Sequence, residues 1–361
     1  MKYDMNAWFR KVDATLTERR LAVSVGLVVL ILASAGLMYL AFSGALRKAP
    51  TMHTIFGAAS TSTVNLVPRR LDGVLVPEGE DALPTYAVMI ENHPDARPLS
   101  GISQASAVIE APVEGGITRF VALFDATSTV QEIGPVRSAR PYFVEWAHGW
   151  KSVYAHVGGS PDAIQLLNGL AGIVNLDEMH KSSAFWRSDE RRAPHNAYTR
   201  IDLLNAAVNT MGATTSSAAV AWRFDQSTST KMGDQKTIRI PYGGSYNVVW
   251  KFNKDTGLYT RYQAGAAQGD KDGAPVQADN VVVMKTDASV LDAVGRLKIR
   301  TTGGGEAIVY HHGNKYVGRW SRGMNDPIRF SGLSGTDLLL KPGKTWVEVT
   351  TDDVTFAGLE K

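Results

Sequence analysis

The chain has 361 residues, 44% of them hydrophobic and 20% charged, a net charge of +3 at pH 7, and no cysteine. This describes a folded chain long enough for two cores. The charge is too small to call for nucleic acid, whose binders carry a dense basic stripe, and the missing cysteines exclude disulfides, thiolate metal sites, a cysteine nucleophile and a lipidated cysteine.

Residues 1–20 form a short N-terminal segment holding Lys2, Arg10, Lys11, Arg19 and Arg20. Leu21 to Leu46 then runs without a charged residue, long enough to cross a bilayer as a helix at ~1.5 Å per residue. A cleavable signal peptide has an apolar core of roughly 7–15 residues, so the run is predicted to be a single transmembrane anchor. The basic excess before it places the N-terminus in the cytoplasm and the body outside. Residues 47–70, rich in Ala, Ser and Thr, read as a linker.

Residues 71–219 are predicted to form a mixed α/β (α+β) domain. YAVMIEN (86–92) is a buried strand, and residues 105–126 give two strands around Glu114-Gly115-Gly116. Ser138 is a candidate cap for a helix from Pro141 to Gly149. KSVYAHV (151–157) is a further strand, followed by a helix with Ser160 at its N-cap and Pro161 at its first position. From residue 220 the pattern changes to short alternating strands, TIRIPY, YNVVWKF, NVVVMKT, AIVYHH and TWVEVTT. A smaller, mainly antiparallel β domain is expected over 220–361.

Chemistry concentrates in the first domain. Arg119, Arg137, Arg140 and Arg187, with Arg191 and Arg192, supply many guanidinium groups. Arginine chelates carboxylate or phosphate through parallel N–H donors, so an anion-binding cleft is one reading. Structural bridges to Glu91, Glu110, Glu114, Glu132 and Glu145 are the other, and spacing does not choose between them. Gly158, Gly159 and Ser160 lead a strand into a helix, a geometry that binds anions at free N–H groups, or simply an ordinary turn. His156 and His195, with Asn196 beside the latter, are candidate proton carriers or hydrogen-bonded structural groups.

Glu110 and Glu114 are weak candidates for a two-carboxylate hydrolase. Four extended residues cover ~13 Å, against the ~5–9.5 Å that such enzymes use. His311 and His312, adjacent on a strand, point to opposite faces, so no metal and no cofactor are expected. Trp250, Trp320 and Trp346 could stack sugars, but at strand spacing they fit a core.

The blocks VMIENHPDARPLSGISQASAVIEAPVEGGITRFVALF, IGPVRSARPYFVEW, AHVGGSPDA, FWRSDERRAPHNAYT, YTRYQAGAAQGDKDGAPVQADNVVVM and PGKTWVEV resemble the YerB family of bacterial envelope proteins. The resemblance spans most of residues 70–350. It implies two domains, the second β-rich, held outside the cytoplasm and attached to the membrane. It implies no mechanism and carries over no catalytic residue. The chain departs from the lipoprotein members in having no cysteine to lipidate, and the span at 21–46 takes the anchoring role. The expected function is binding of an anionic envelope ligand, a peptidoglycan carboxylate or a glycan or lipid phosphate. A cell-wall-polymer hydrolase or phosphotransferase, and a scaffold for cell-wall synthesis proteins, are the alternatives.

Overall fold

The computed structural model describes Ser34 and residues 65–215, 219–227 and 231–351. The expected span at 21–46 lies outside the described residues apart from Ser34, as do residues 1–20 and most of the linker. Among the described residues, no helix is long and apolar enough to cross a membrane.

Thr85–Glu91 (β1) is buried along its whole length. Alternate side chains leave opposite faces of a strand, so Tyr86, Val88 and Ile90 enter one core while Ala87 and Met89 enter another. Ala107–Pro112 (β2) and Thr118–Asp125 (β3) pair antiparallel. Between them lies the Glu114–Gly116 turn. Gly115 and Gly116 take φ of 75° and 69° there, the left-handed region that glycine enters without a Cβ penalty.

Helix α1 is Pro141–Gly149, and its N-cap is Arg140 rather than Ser138. The chain before it is still extended: the Arg137 amide donates to Met89 O and that of Ala139 to Gly158 O, both at 2.9 Å. A helix cannot begin while those bonds hold. After Val153–His156 (β4) comes α2, Pro161–Gly169. As expected, the Ser160 hydroxyl accepts from the Ala163 amide at 3.4 Å and proline opens the helix. Val174–Asp177 (β5) and helix α3, Ile201–Met211, complete the first half.

In the second half, Thr237–Ile240 (β6), Val248–Phe252 (β7) and Tyr259–Gln263 (β8) belong to a small antiparallel sheet. Asn280–Lys285 (β9) follows, then a hairpin of Ala288–Val290 (β10) and Leu297–Ile299 (β11). Gly303–His311 (β12), Asn314–Arg322 (β13), Arg329–Gly332 (β14) and Thr345–Thr350 (β15) close the chain.

Ten of these strands form one sheet, in the order β14-β13-β12-β9-β15-β2-β3-β1-β4-β5. β15 lies in its interior, parallel to β9 on one side and to β2 on the other. The strands of the segment expected as a smaller β domain, residues 220–361, divide between this sheet and the small antiparallel one. Much of that segment extends the sheet of the first half, and residues 64–361 form one unit. Alternation tells which face of a strand is buried but not which strand lies beside it, so the sequence could not show this. The described residues are mostly β with three helices. The α1 and α2 side chains cover one face, where Trp146, Trp150 and Trp320 are buried. The small sheet and α3 cover the other. Trp250 and Trp346 meet there edge to face at 5.3 Å, so these tryptophans are core residues.

Candidate functional site

Charged residues gather where β1 and β4 end and β3 begins. The loop before α1 crosses this edge, with the Glu91 amide donating to Pro135 O and that of Val157 to Arg137 O, at 3.0 and 3.1 Å. Residues 191–198 lie against the same loop through the Val136 amide and Ala197 O, 2.6 Å apart. Arg119, Arg137, Arg140, Glu91 and His195 are thereby brought to one place.

Three of the four named arginines hold carboxylates. Arg140 clasps Glu114 with two nitrogens, Nε at 3.0 Å from Oε2. Burial alone would raise the Glu114 carboxyl, but the Arg140 hydrogen bond prevails and holds it below the ordinary range. Arg137 Nε lies 3.1 Å from Glu91 Oε1. Arg187 Nε lies 3.1 Å from Glu178, and its Nη1 donates to Asn196, next to His195. All three are thus ion-paired in the structure. Arg191 donates to backbone carbonyls of Asp95 and Pro98, and Arg192 is exposed.

Arg119 differs. It is 7% exposed and donates to Ser138 O at 2.7 Å. Among the described residues it has no carboxylate within ion-pair distance, although Glu114 is near enough to favour its charge. Burial, then the charges of Arg140 and Arg137, push it down to about 10. It stays cationic at neutral pH. The cluster thus sets three guanidinium groups, Arg119, Arg137 and Arg140, against two carboxylates, Glu91 and Glu114.

Two donors of the glycine turn are engaged within the protein. The Gly158 amide donates to Asp177 Oδ1 at 2.8 Å and the Ser160 amide to Ala139 O at 3.2 Å. Gly159 is small for packing: a Cβ there would sit 3.2 Å from that of Ala139. His156 is fully buried, with its ring nitrogens 2.7 Å from Gly158 O and 2.7 Å from Asn175 Oδ1. It has no free nitrogen to carry protons. His195 is partly exposed, places Nδ1 2.9 Å from Glu91 Oε2, and stacks on His93 at 5.0 Å.

Glu110 and Glu114 serve different arginines. Glu110 is fully buried and bonded to Arg261, Thr118 and Asn92. A substrate could not reach it, so the two-carboxylate arrangement does not form.

The sequence reading missed a sizeable cavity. About 750 Å³ opens between helices α1 and α2 and the β10–β11 hairpin, with Tyr142, Leu166, Leu170, Leu297, Ile299 and Met324 among its apolar walls. Arg300, Arg322 and Glu145 supply polar groups. A second space of about 410 Å³ lies at Gly115, Gly116 and Tyr242, and shares Ala288, Ser289 and Leu297 with the first. Both volumes are of ligand size. Tyr142 relates them to the cations. It borders the larger cavity, donates to Pro112 O at 2.9 Å, and lies in the field of Arg119 and Arg140. One signal was legible: the hairpin reads ASVLDAVGRLKI, and its Val290 and Val294 are about two-thirds exposed (67% and 70%), too apolar for an ordinary surface loop.

The model described as "Protein of unknown function (DUF3048) N-terminal domain" matches residues 72–214, and that of the corresponding C-terminal domain matches 238–347. A curated relative, "Putative lipoprotein YerB" of Bacillus subtilis strain 168, is 36% identical over 274 residues, which is 74% of this chain and 81% of the relative. The crystal structure of YerB protein from Bacillus subtilis superposes with a TM-score of 0.71 at 31% identity, covering 79% of this chain and 96% of that one. Matched along both halves in sequence and in fold, the chain belongs to the YerB-like DUF3048 family.

Proposed function

We propose that the chain is an extracytoplasmic, membrane-attached binding protein of the cell envelope, taking an anionic ligand at Arg119, Arg137 and Arg140. The observation that carries this reading is Arg119, a buried guanidinium with no acidic partner of its own among the described residues. Burying a cation costs several kcal/mol unless an anion answers it. In this reading Glu114 occupies the position of the ligand's acid group. It sits on an exposed turn with two left-handed glycines, and a Cβ at Gly116 would meet nothing. Moving that turn opens the cations toward the groove, whose apolar walls suit the body of an amphipathic anion such as a lipid-linked phosphate. A peptidoglycan carboxylate presents the same acid chemistry without the apolar body. The relative's description as a lipoprotein supports the location. Hydrolase or phosphotransferase action has less support, since Glu110 is sealed and His156 has both nitrogens engaged.

The test is calorimetry on the full chain in mild detergent with three probes: a polyprenyl phosphate, a soluble muropeptide and inorganic phosphate. Charge-assisted contacts contribute ~1.5–3 kcal/mol each, so Arg119→Gln with Arg140→Gln should weaken binding by more than tenfold. Preference for the polyprenyl phosphate assigns the groove to the apolar tail, and preference for the muropeptide assigns the arginines to a wall carboxylate. Binding indifferent to both substitutions, or no binding of any probe, defeats the reading.

A further inference from the structure

His93, Asp95 and His195 come together although 100 residues separate the last two. His93 caps the short turn Pro94–Ala96 that contains Asp95. His195 arrives on the loop pinned to residues 133–136. One donor atom from each of the three lies within 4.8 Å of the other two. The expectation of no metal weighed only His311 and His312, whose rings are 6.0 Å apart and perpendicular. The present set consists of different residues.

Geometry and chemistry both fit a metal. His93 Nδ1 and Asp95 Oδ2 are 3.6 Å apart, close to the edge of about 3.3 Å that a tetrahedral zinc with 2.0–2.1 Å bonds requires; Nδ1 also accepts the Asp95 amide at 3.3 Å, a long bond that the metal would replace. The remaining approach falls to Asp95, whose side chain is 73% exposed and free to turn. His195 is already oriented. Its Nδ1 faces Glu91 Oε2 at 2.9 Å, and Arg137 holds the other oxygen of Glu91 at 3.1 Å. A carboxylate that fixes one imidazole nitrogen leaves Nε2 to a metal, the arrangement that orients ligands around zinc. The nearby Arg191 does not compete for the Asp95 carboxylate, because its nitrogens bond the carbonyls of Asp95 and Pro98.

We propose that His93, Asp95 and His195 bind one divalent transition-metal ion, with Glu91 as the positioning carboxylate. Two imidazoles and one carboxylate, with no thiolate, suit zinc, cobalt, nickel or copper rather than magnesium or calcium. None of its three ligands is an arginine of the anion cluster, and the two sites adjoin through Glu91, which faces both Arg137 and His195.

The experiment uses the full chain without a polyhistidine tag, stripped with chelator, and titrates Zn²⁺ by calorimetry and Co²⁺ by visible absorption. One saturable ion per chain is expected, with the intense bands of a low-coordinate cobalt site. His93→Ala and His195→Ala should each weaken binding at least tenfold, and His311→Asn should leave it unchanged. Asp95→Asn alters only an exposed side chain, so it carries the test if a histidine variant fails to fold, and it too should weaken binding. Glu91→Gln keeps all three ligands and should weaken binding about 10–100-fold. Absence of saturable binding, or binding unchanged in the Asp95 and histidine variants, overturns the site. Unchanged binding in Glu91→Gln overturns the positioning role.

Discussion

Glu110 and Glu348 stand opposite each other on the adjacent parallel strands β2 and β15, both fully buried, with Arg261 between them and the small sheet. Burial, then the charge of Glu110, raises the Glu348 carboxyl well above its ordinary range. Trp250 Nε1 and the Tyr242 hydroxyl donate to its two oxygens at 2.7 and 2.9 Å. Arg261 pairs with Glu110 inside this buried network, its Nε 3.8 Å from Glu348 Oε1. This group ties the small sheet to the large one.

Removing one member of a buried pair leaves the other charge stranded, at about 3–5 kcal/mol. Arg261→Met is expected to destabilise the protein by that amount in urea unfolding. Adding Glu110→Gln to Arg261→Met should recover a large part of the loss. If the double variant is no more stable than the single, the stranded charge is not the cause.

The raised Glu348 carboxyl fixes the sign of a pH effect. In the unfolded chain it ionises in the ordinary carboxylate range, whereas in the folded chain it stays protonated to higher pH. Its contribution is full below the ordinary range and is lost as pH rises toward the folded value. Urea midpoints should therefore show a smaller alkaline decline in Glu348→Gln than in the parent. A decline of equal size would contradict the assignment.

His311 acts at the acid end. Burial, then His312 and Lys341, push it down to about 4, against about 6.5 in an unfolded chain. Its contribution is present above 6.5 and lost as pH falls through the folded value. His311→Gln should make the change in urea midpoint between pH 7 and pH 4 shallower.

The Glu114 turn gives a prediction with an unusual sign. If Glu114 stands in for a ligand's acid group, Glu114→Gln should tighten anion binding by several-fold while modestly lowering stability. Calorimetry beside urea unfolding reads both quantities. Weaker binding in this variant would make Glu114 part of the site's support rather than its occupant.

Local signals were legible and long-range ones were not. The strand around Val88 and the Ser160-Pro161 helix start depend on neighbours in sequence, and both formed as read. The partner of an arginine does not. Arg140 meets Glu114 across 26 positions, and Arg137 meets Glu91 through a loop whose course depends on two strands. His93 passed unremarked inside a quoted block because its companion His195 is so distant. The groove was hidden for the same reason, since α1 and the β10–β11 hairpin are remote in sequence.

The placement of Thr345–Thr350 bears on how the molecule is made. The latest of the described strands in sequence is the one that β9 and β2 both need between them. Until it emerges, each exposes an unpaired apolar edge, which invites aggregation. A nascent chain that has not yet reached residue 350 would thus lack its keystone, and the native sheet can close only once that strand has emerged.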